Sequence, residues 1–107
     1  MERYGAVIQL RPEKVDEYIE LHQAVWPQVK ARMTAANIRN YTIFYHDGWL
    51  FNYFEYTGND YAGDMAGIAS DPKTQEWWAV TMPCQLPVKS RQPGEWWATM
   101  KEVYHQD

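Results

Sequence analysis

This chain of 107 residues predicts an α+β fold in the order β-α-β-β-α-β, on three observations. Two segments rich in β-branched and aromatic residues, "NIRNYTIFYH" (37–46) and "WLFNYFEYT" (49–57), flank Asp47-Gly48, the favoured hairpin turn. Before them runs an apolar stripe at helical spacing: Val15, Tyr18, Ile19, His22, Trp26, Val29 and Met33. Before the stripe stands "RYGAVIQL" (3–10), strand-like and apolar on both faces.

Each element has a local cause. Pro12 stands where a helix would begin, with Glu13 and Asp16 suited to its first turn. Pro27 removes an amide donor and clashes with the preceding turn, so it should kink or split that helix near His22–Trp26. With a two-residue turn, the hairpin pairs His46 with Trp49, Phe44 with Phe51 and Thr42 with Tyr53 on one face. The other face then pairs Tyr45 with Leu50, Ile43 with Asn52 and Tyr41 with Phe54. Asn59 or Asp60 can cap a short helix ending near Ser70, and Asp71-Pro72 can start another, "PKTQEWWAVTM". Pro83, Pro87, Pro93 and Gly94 mark 83–94 as a structured loop, and "EWWATMKEVYH" (95–105) reads as a last strand. This is the ferredoxin-like split βαβ arrangement in a single domain, 1–107, an antiparallel sheet with helices on one face. Both hairpin faces are apolar and helices cover only one, so the other calls for a second copy. A homodimer closing two sheets into an α/β barrel is expected.

Composition narrows the function. Ten Lys and Arg are scattered against fourteen Asp and Glu, for a net charge of −4, which disfavours nucleic-acid binding by backbone neutralisation. No apolar run is long enough to cross a bilayer, and "MERYGAVIQLRP" lacks a secretory h-region, so no membrane role and a cytoplasmic setting are expected. The lone Cys84 cannot form an internal disulfide and has no evident base beside it. The three histidines have no metal-ligand spacing, and neither a nucleotide-binding glycine motif nor a GxSxG motif is present, so no metal and no cofactor are expected. Six Trp, eight Tyr and three Phe imply a large buried interface or a lined pocket.

Within that pattern, His22 is the candidate for chemistry. A histidine on an apolar helix stripe is more often a packing residue than a reactive one. Yet burial lowers its pKa and a carboxylate raises it, so such a site can place a proton near neutrality. Tyr18 lies one turn earlier, and Tyr41 sits mid-strand where it could face the same helix. Trp77 and Trp78 point about 100° apart on a helix, so both are sheltered only in a deep groove. Aromatic rings on apolar C–H faces, with polar groups at the edge, are how proteins hold a sugar ring. Trp96-Trp97 is most simply sheet or interface packing. The residues alone suit acid–base chemistry on a small neutral polar molecule.

"YIELHQAVWP", "NYTIF" and "EWWAVTMP", in this order and at these intervals, resemble the L-rhamnose mutarotase family across nearly the whole chain. The resemblance implies a dimeric α+β barrel that interconverts the α and β anomers of a 6-deoxy-aldose. Carried over, His22 is the proton donor, Tyr18 and Tyr41 bind and orient the monosaccharide, Trp77 and Trp78 line its face, and Trp26-Pro27 shapes the pocket behind the histidine. Gln23-Ala24 and the segment "PCQLPVKSRQPGEWW" depart from the family pattern. Because loops set specificity on a fixed scaffold, L-fucose or another pyranose is an alternative substrate. A dimeric ferredoxin-like monooxygenase or haem-handling protein, and a non-enzymatic small-ligand-binding module, share the topology and are the competing functions.

Overall fold

The computed structural model describes residues 1–107. Strand β1 (Glu2–Leu10) is central, and antiparallel β3 (Trp49–Tyr56) pairs it from Glu2↔Tyr56 to Gln9↔Trp49. Strand β2 (Ile38–His46) forms the outer edge beyond β3. The Asp47-Gly48 turn has φ of 47° and 87°, the left-handed pair that a two-residue hairpin requires. The pairs His46–Trp49, Tyr45–Leu50, Phe44–Phe51, Ile43–Asn52 and Thr42–Tyr53 form as expected.

Tyr41–Phe54 does not. The register shifts between Arg39 and Thr42, where Asn40 adopts φ 54° and is accommodated as an extra residue. Asn40 Nδ2 donates to Glu55 Oε1 at 2.7 Å, a local bond that holds the bulge. Tyr41 keeps the inner face and stacks on Phe54, with ring centroids 5.7 Å apart.

Both helical regions split. After a 3₁₀ turn at Pro12–Lys14, α1 (Val15–His22) ends five residues before Pro27, which opens α2 (Pro27–Ala35). Helix α3 (Tyr61–Ala69) is capped by Asp60, whose carboxylate accepts from Gly63 N. Helix α4 (Pro72–Thr81) is capped by Asp71, which accepts from Thr74 N at 2.9 Å.

The last strand is the main departure. The position beside β1 is shared by two short pieces, β4 (Gln85–Leu86) on Leu10 and Gln9, and β5 (Ala98–Thr99) on Val7 and Ala6. Pro87 ends the first piece because it has no N–H for a ladder, and Gly94 (φ 87°) turns the chain back toward the second. Beyond Thr99 the one backbone bond back to β1 is Met100 N to Gly5 O, at 2.8 Å, beside a side-chain bond from Arg3 Nε to Glu102 at 3.4 Å. Val103 and Tyr104 find no apolar surface to cover and stay 87% and 74% exposed.

Strand order is therefore β2-β3-β1-β4, with β5 also on β1: the ferredoxin-like α+β fold of the dimeric-barrel class. One core cluster gathers Ile8, Leu10, Tyr18, Leu50 and Cys84 under α1; a second gathers Ala36, Ile38, Tyr56 and Ile68 under α2 and α3. The opposite sheet face carries Val7, Phe51 and Tyr53, half-buried, with Trp49 at 37% and Phe44 at 62% exposure.

Candidate functional site

Between the helices and the inner sheet face lies a cavity of about 850 Å³. Tyr18 and His22 from α1, Trp77 and Trp78 from α4, and Tyr41 and Asn52 from the hairpin all line it. Five of the six expected site residues thus share one wall-to-wall space.

Trp26 does not line it. The break at Pro27 takes Trp26 off the His22 face and makes it the residue that precedes α2. Its indole packs edge-on against Trp77 at 5.2 Å between centroids, with the Lys73 ammonium 5.0 Å above the ring. Trp26 therefore buttresses Trp77, which is only 6% exposed. Trp77 in turn meets His22 edge-on at 5.3 Å, and His22 lies against Tyr18 at 4.2 Å.

His22 closes α1 rather than sitting in mid-helix. Its Nδ1 is 2.9 Å from the Tyr18 carbonyl oxygen, which can only accept, so Nδ1 carries a proton. The neutral ring then keeps its lone pair on Nε2. Burial lowers the His22 pKa below the ordinary histidine value, and the bond to the Tyr18 backbone restores part of that shift. The imidazole is therefore neutral at neutral pH and is a base at Nε2.

The two tyrosines differ in setting. Tyr18 is 3% exposed, and burial raises its pKa well above the ordinary phenol value, so it stays protonated. Tyr41 is 40% exposed as a residue while its hydroxyl reaches the crowded interior; burial raises this pKa too, against the opposing pull of the Asn52 hydrogen bond. Gln85 Nε2 donates to the Tyr18 hydroxyl at 3.2 Å, and Asn52 Nδ2 donates to the Tyr41 hydroxyl at 3.3 Å.

The L-rhamnose mutarotase family model matches residues 3–106. The chain belongs to that family. It is an isomerase.

Among relatives, L-rhamnose mutarotase of Oceanobacillus iheyensis is 28% identical over 109 residues, covering all of both chains. That of Sinorhizobium fredii is 35% identical over 81 residues, 74% of this chain and 75% of its own. Two solved structures share the fold. An L-rhamnose mutarotase from Formosa agariphila has a TM-score of 0.77 at 19% identity, with complete coverage of both chains. The tetracenomycin F2 cyclase of Streptomyces glaucescens has a TM-score of 0.72 at 12% identity, covering 100% of this chain and 98% of its own.

Asn52 and Gln85 line the cavity but were not among the expected site residues, and the Trp96-Trp97 pair was read as packing. Asn52 had a signal, since it is the one amide among the aromatic and aliphatic residues of the inner hairpin face. Gln85 had none, because its partner Tyr18 lies 67 positions away. Trp96 lines the cavity with Trp97 and donates from Nε1 to Gln85 Oε1 at 2.7 Å, so this pair belongs to the site and not merely to sheet packing. No three His, Cys, Asp or Glu side chains converge to hold a metal. Cys84 is buried with its thiol pushed up to about 11 by burial and by the adjoining Glu17 carboxylate, so it is no nucleophile.

Proposed function

We propose that this isomerase interconverts the α and β anomers of L-rhamnose, with His22 moving the proton. The observation that carries the reading is the convergence of the His22 ring with two tyrosine hydroxyls and the Trp77-Trp78 pair on one cavity. Family membership supports the same substrate. The cavity volume alone would also admit a planar polycyclic molecule, but the converging hydroxyl and amide groups favour a polyol.

Neutral His22 takes the anomeric hydroxyl proton at Nε2, leaving negative charge on that oxygen. As the C1–O5 bond breaks, the anomeric oxygen becomes the aldehyde and the imidazolium gives the proton to the ring oxygen. His22 is thus the proton donor of ring opening. Rotation about C1–C2 turns the aldehyde over, and the steps run backwards to close the other anomer. The tyrosine O–H groups stabilise oxygen charge as it forms, and Trp77 and Trp78 hold the apolar C–H face of the sugar. Trp26 acts on the sugar only through Trp77. A positioned base of this kind supplies on the order of 10²–10⁴-fold.

The working unit is a homodimer, joined through the uncovered sheet face that Phe44 and Trp49 leave open, and it acts in the cytoplasm, where a lone thiol stays reduced. Sedimentation velocity checks the first point: the wild type should run as a dimer and Phe44→Glu as a shifted, monomer-rich population.

Saturation-transfer NMR on the anomeric protons of L-rhamnose, L-fucose and D-glucose tests the chemistry. Protein-dependent exchange of L-rhamnose, lost in His22→Ala, is expected. Exchange of L-fucose alone would move the substrate assignment, and no exchange of any sugar would end the mutarotase reading.

A further inference from the structure

The direction of the hydrogen bond at Tyr18 follows from its neighbours. An indole N–H only donates, so Trp96 Nε1, 2.7 Å from Gln85 Oε1, fixes which end of that carboxamide is oxygen. The amide nitrogen then faces Tyr18 at 3.2 Å, and it too only donates. Tyr18 oxygen is the acceptor of that bond, and its own proton has no partner within the chain. The residue is 3% exposed and lines the cavity, and Gln85 is 4% exposed. A buried hydroxyl whose proton lacks an acceptor is rare unless a ligand supplies one.

We propose that Gln85, oriented by Trp96, is a positioning residue that fixes the Tyr18 O–H as a donor to a sugar oxygen in the cavity. This rests on the mutarotase reading above and adds a demand on the substrate: the oxygen beside Tyr18 must accept. The anomeric oxygen meets that demand best as it loses its proton to His22, because a fixed donor then faces growing negative charge without reorganising. The raised pKa of Tyr18 keeps that proton in place throughout.

The decisive variant is Gln85→Glu. It preserves size and the bond from Trp96 but replaces the N–H by an oxygen, and the carboxylate, held ionised by the two donors it faces, draws the Tyr18 proton to itself. Anomer exchange of L-rhamnose should fall about 10- to 100-fold in kcat/KM, to the level of Tyr18→Phe. The double variant Gln85→Glu/Tyr18→Phe should be no slower than either single variant, because both act on the same proton. Near-wild-type turnover in Gln85→Glu, or losses that multiply in the double variant, would overturn the proposal, since a residue that merely tethers the Trp96 segment keeps that tether as Glu. If Gln85→Glu does not fold by circular dichroism, Gln85→Met carries the same double-variant comparison.

The wild type guards the underlying reading separately. If it exchanges no sugar, the mutarotase assignment fails, and the role of Gln85 is judged from the tyrosine Raman doublet, whose intensity ratio tells an accepting phenol from a donating one. In the wild-type minus Tyr18→Phe difference, an accepting signature sustains Gln85 as the donor and a purely donating one removes it.

Discussion

Tyr18 and Tyr41 each receive a carboxamide N–H, and there the likeness ends. At Tyr18 the partner amide is paired at both ends, its oxygen by the half-buried Trp96 and its nitrogen by the phenol, and Tyr18 and Gln85 are both buried. At Tyr41 the partner Asn52 is 7% exposed, and its Oδ1 is buried with no hydrogen-bond partner. Turning that amide over would only exchange a stranded oxygen for a stranded nitrogen. Tyr41 is 40% exposed and follows a bulge. The cavity thus has a fixed end and an adjustable end; in the proposed mechanism the proton moves at the first, where small misplacements are expensive, and sugar hydroxyls are recognised at the second.

The largest effect should come from His22, which belongs to the fixed end through its bond to the Tyr18 carbonyl. Its pKa is lowered by burial, and the neutral form starts the reaction, so kcat/KM should be level at high pH and fall as pH drops through that depressed pKa, below 6.5. His22→Ala should lose about 10²–10⁴-fold and show no acid limb. The same shift bears on stability. The unfolded state binds the proton more readily, so the His22 contribution is present above 6.5 and declines as pH falls through the folded-state pKa. An acid limb lying above 6.5 would mean that burial does not set this ionisation.

Next in size are the tyrosines themselves. Tyr18→Phe removes an oriented donor beside the reacting atoms and should lower kcat about 10- to 100-fold, while Tyr41→Phe removes an adjustable contact and should mainly raise KM, by about 3- to 10-fold. Steady-state exchange rates over a range of L-rhamnose concentrations separate the two. Equal effects on the same parameter would erase the distinction between the ends.

How the two ends could be read from the sequence follows the same division. Tyr18 and His22 announced themselves by helical spacing, and the hairpin by Asp47-Gly48, because such signals lie within one or two turns of chain. The helix breaks at Pro27 and Asp71-Pro72 were equally local. Gln85 and Trp96 were not legible, since their roles come from pairing a proline-rich loop with α1. The last strand failed for a related reason: its place beside β1 is divided between Gln85–Leu86 and Ala98–Thr99, a division set by tertiary contacts and not by propensity. Trp26 was misplaced because it was kept on the stripe although a split near His22–Trp26 was expected: α1 ends at His22, and Trp26 becomes the residue that precedes α2.

The smallest effect sharpens the comparison most, because it concerns stability alone. Gln85→Leu leaves the Trp96 indole N–H and the Tyr18 oxygen without their buried partner, and should destabilise the fold by about 1–3 kcal/mol. Asn52→Leu, of similar size, removes a polar group already stranded at one end and replaces it with one that suits the aromatic wall. Its unfolding free energy should stay within about 1 kcal/mol of the wild type, or rise. Urea midpoints measured at a common slope decide this. If Asn52→Leu proved the more damaging of the two, the Asn52 oxygen would have to be paired in solution, and the adjustable end would be as firmly built as the fixed one.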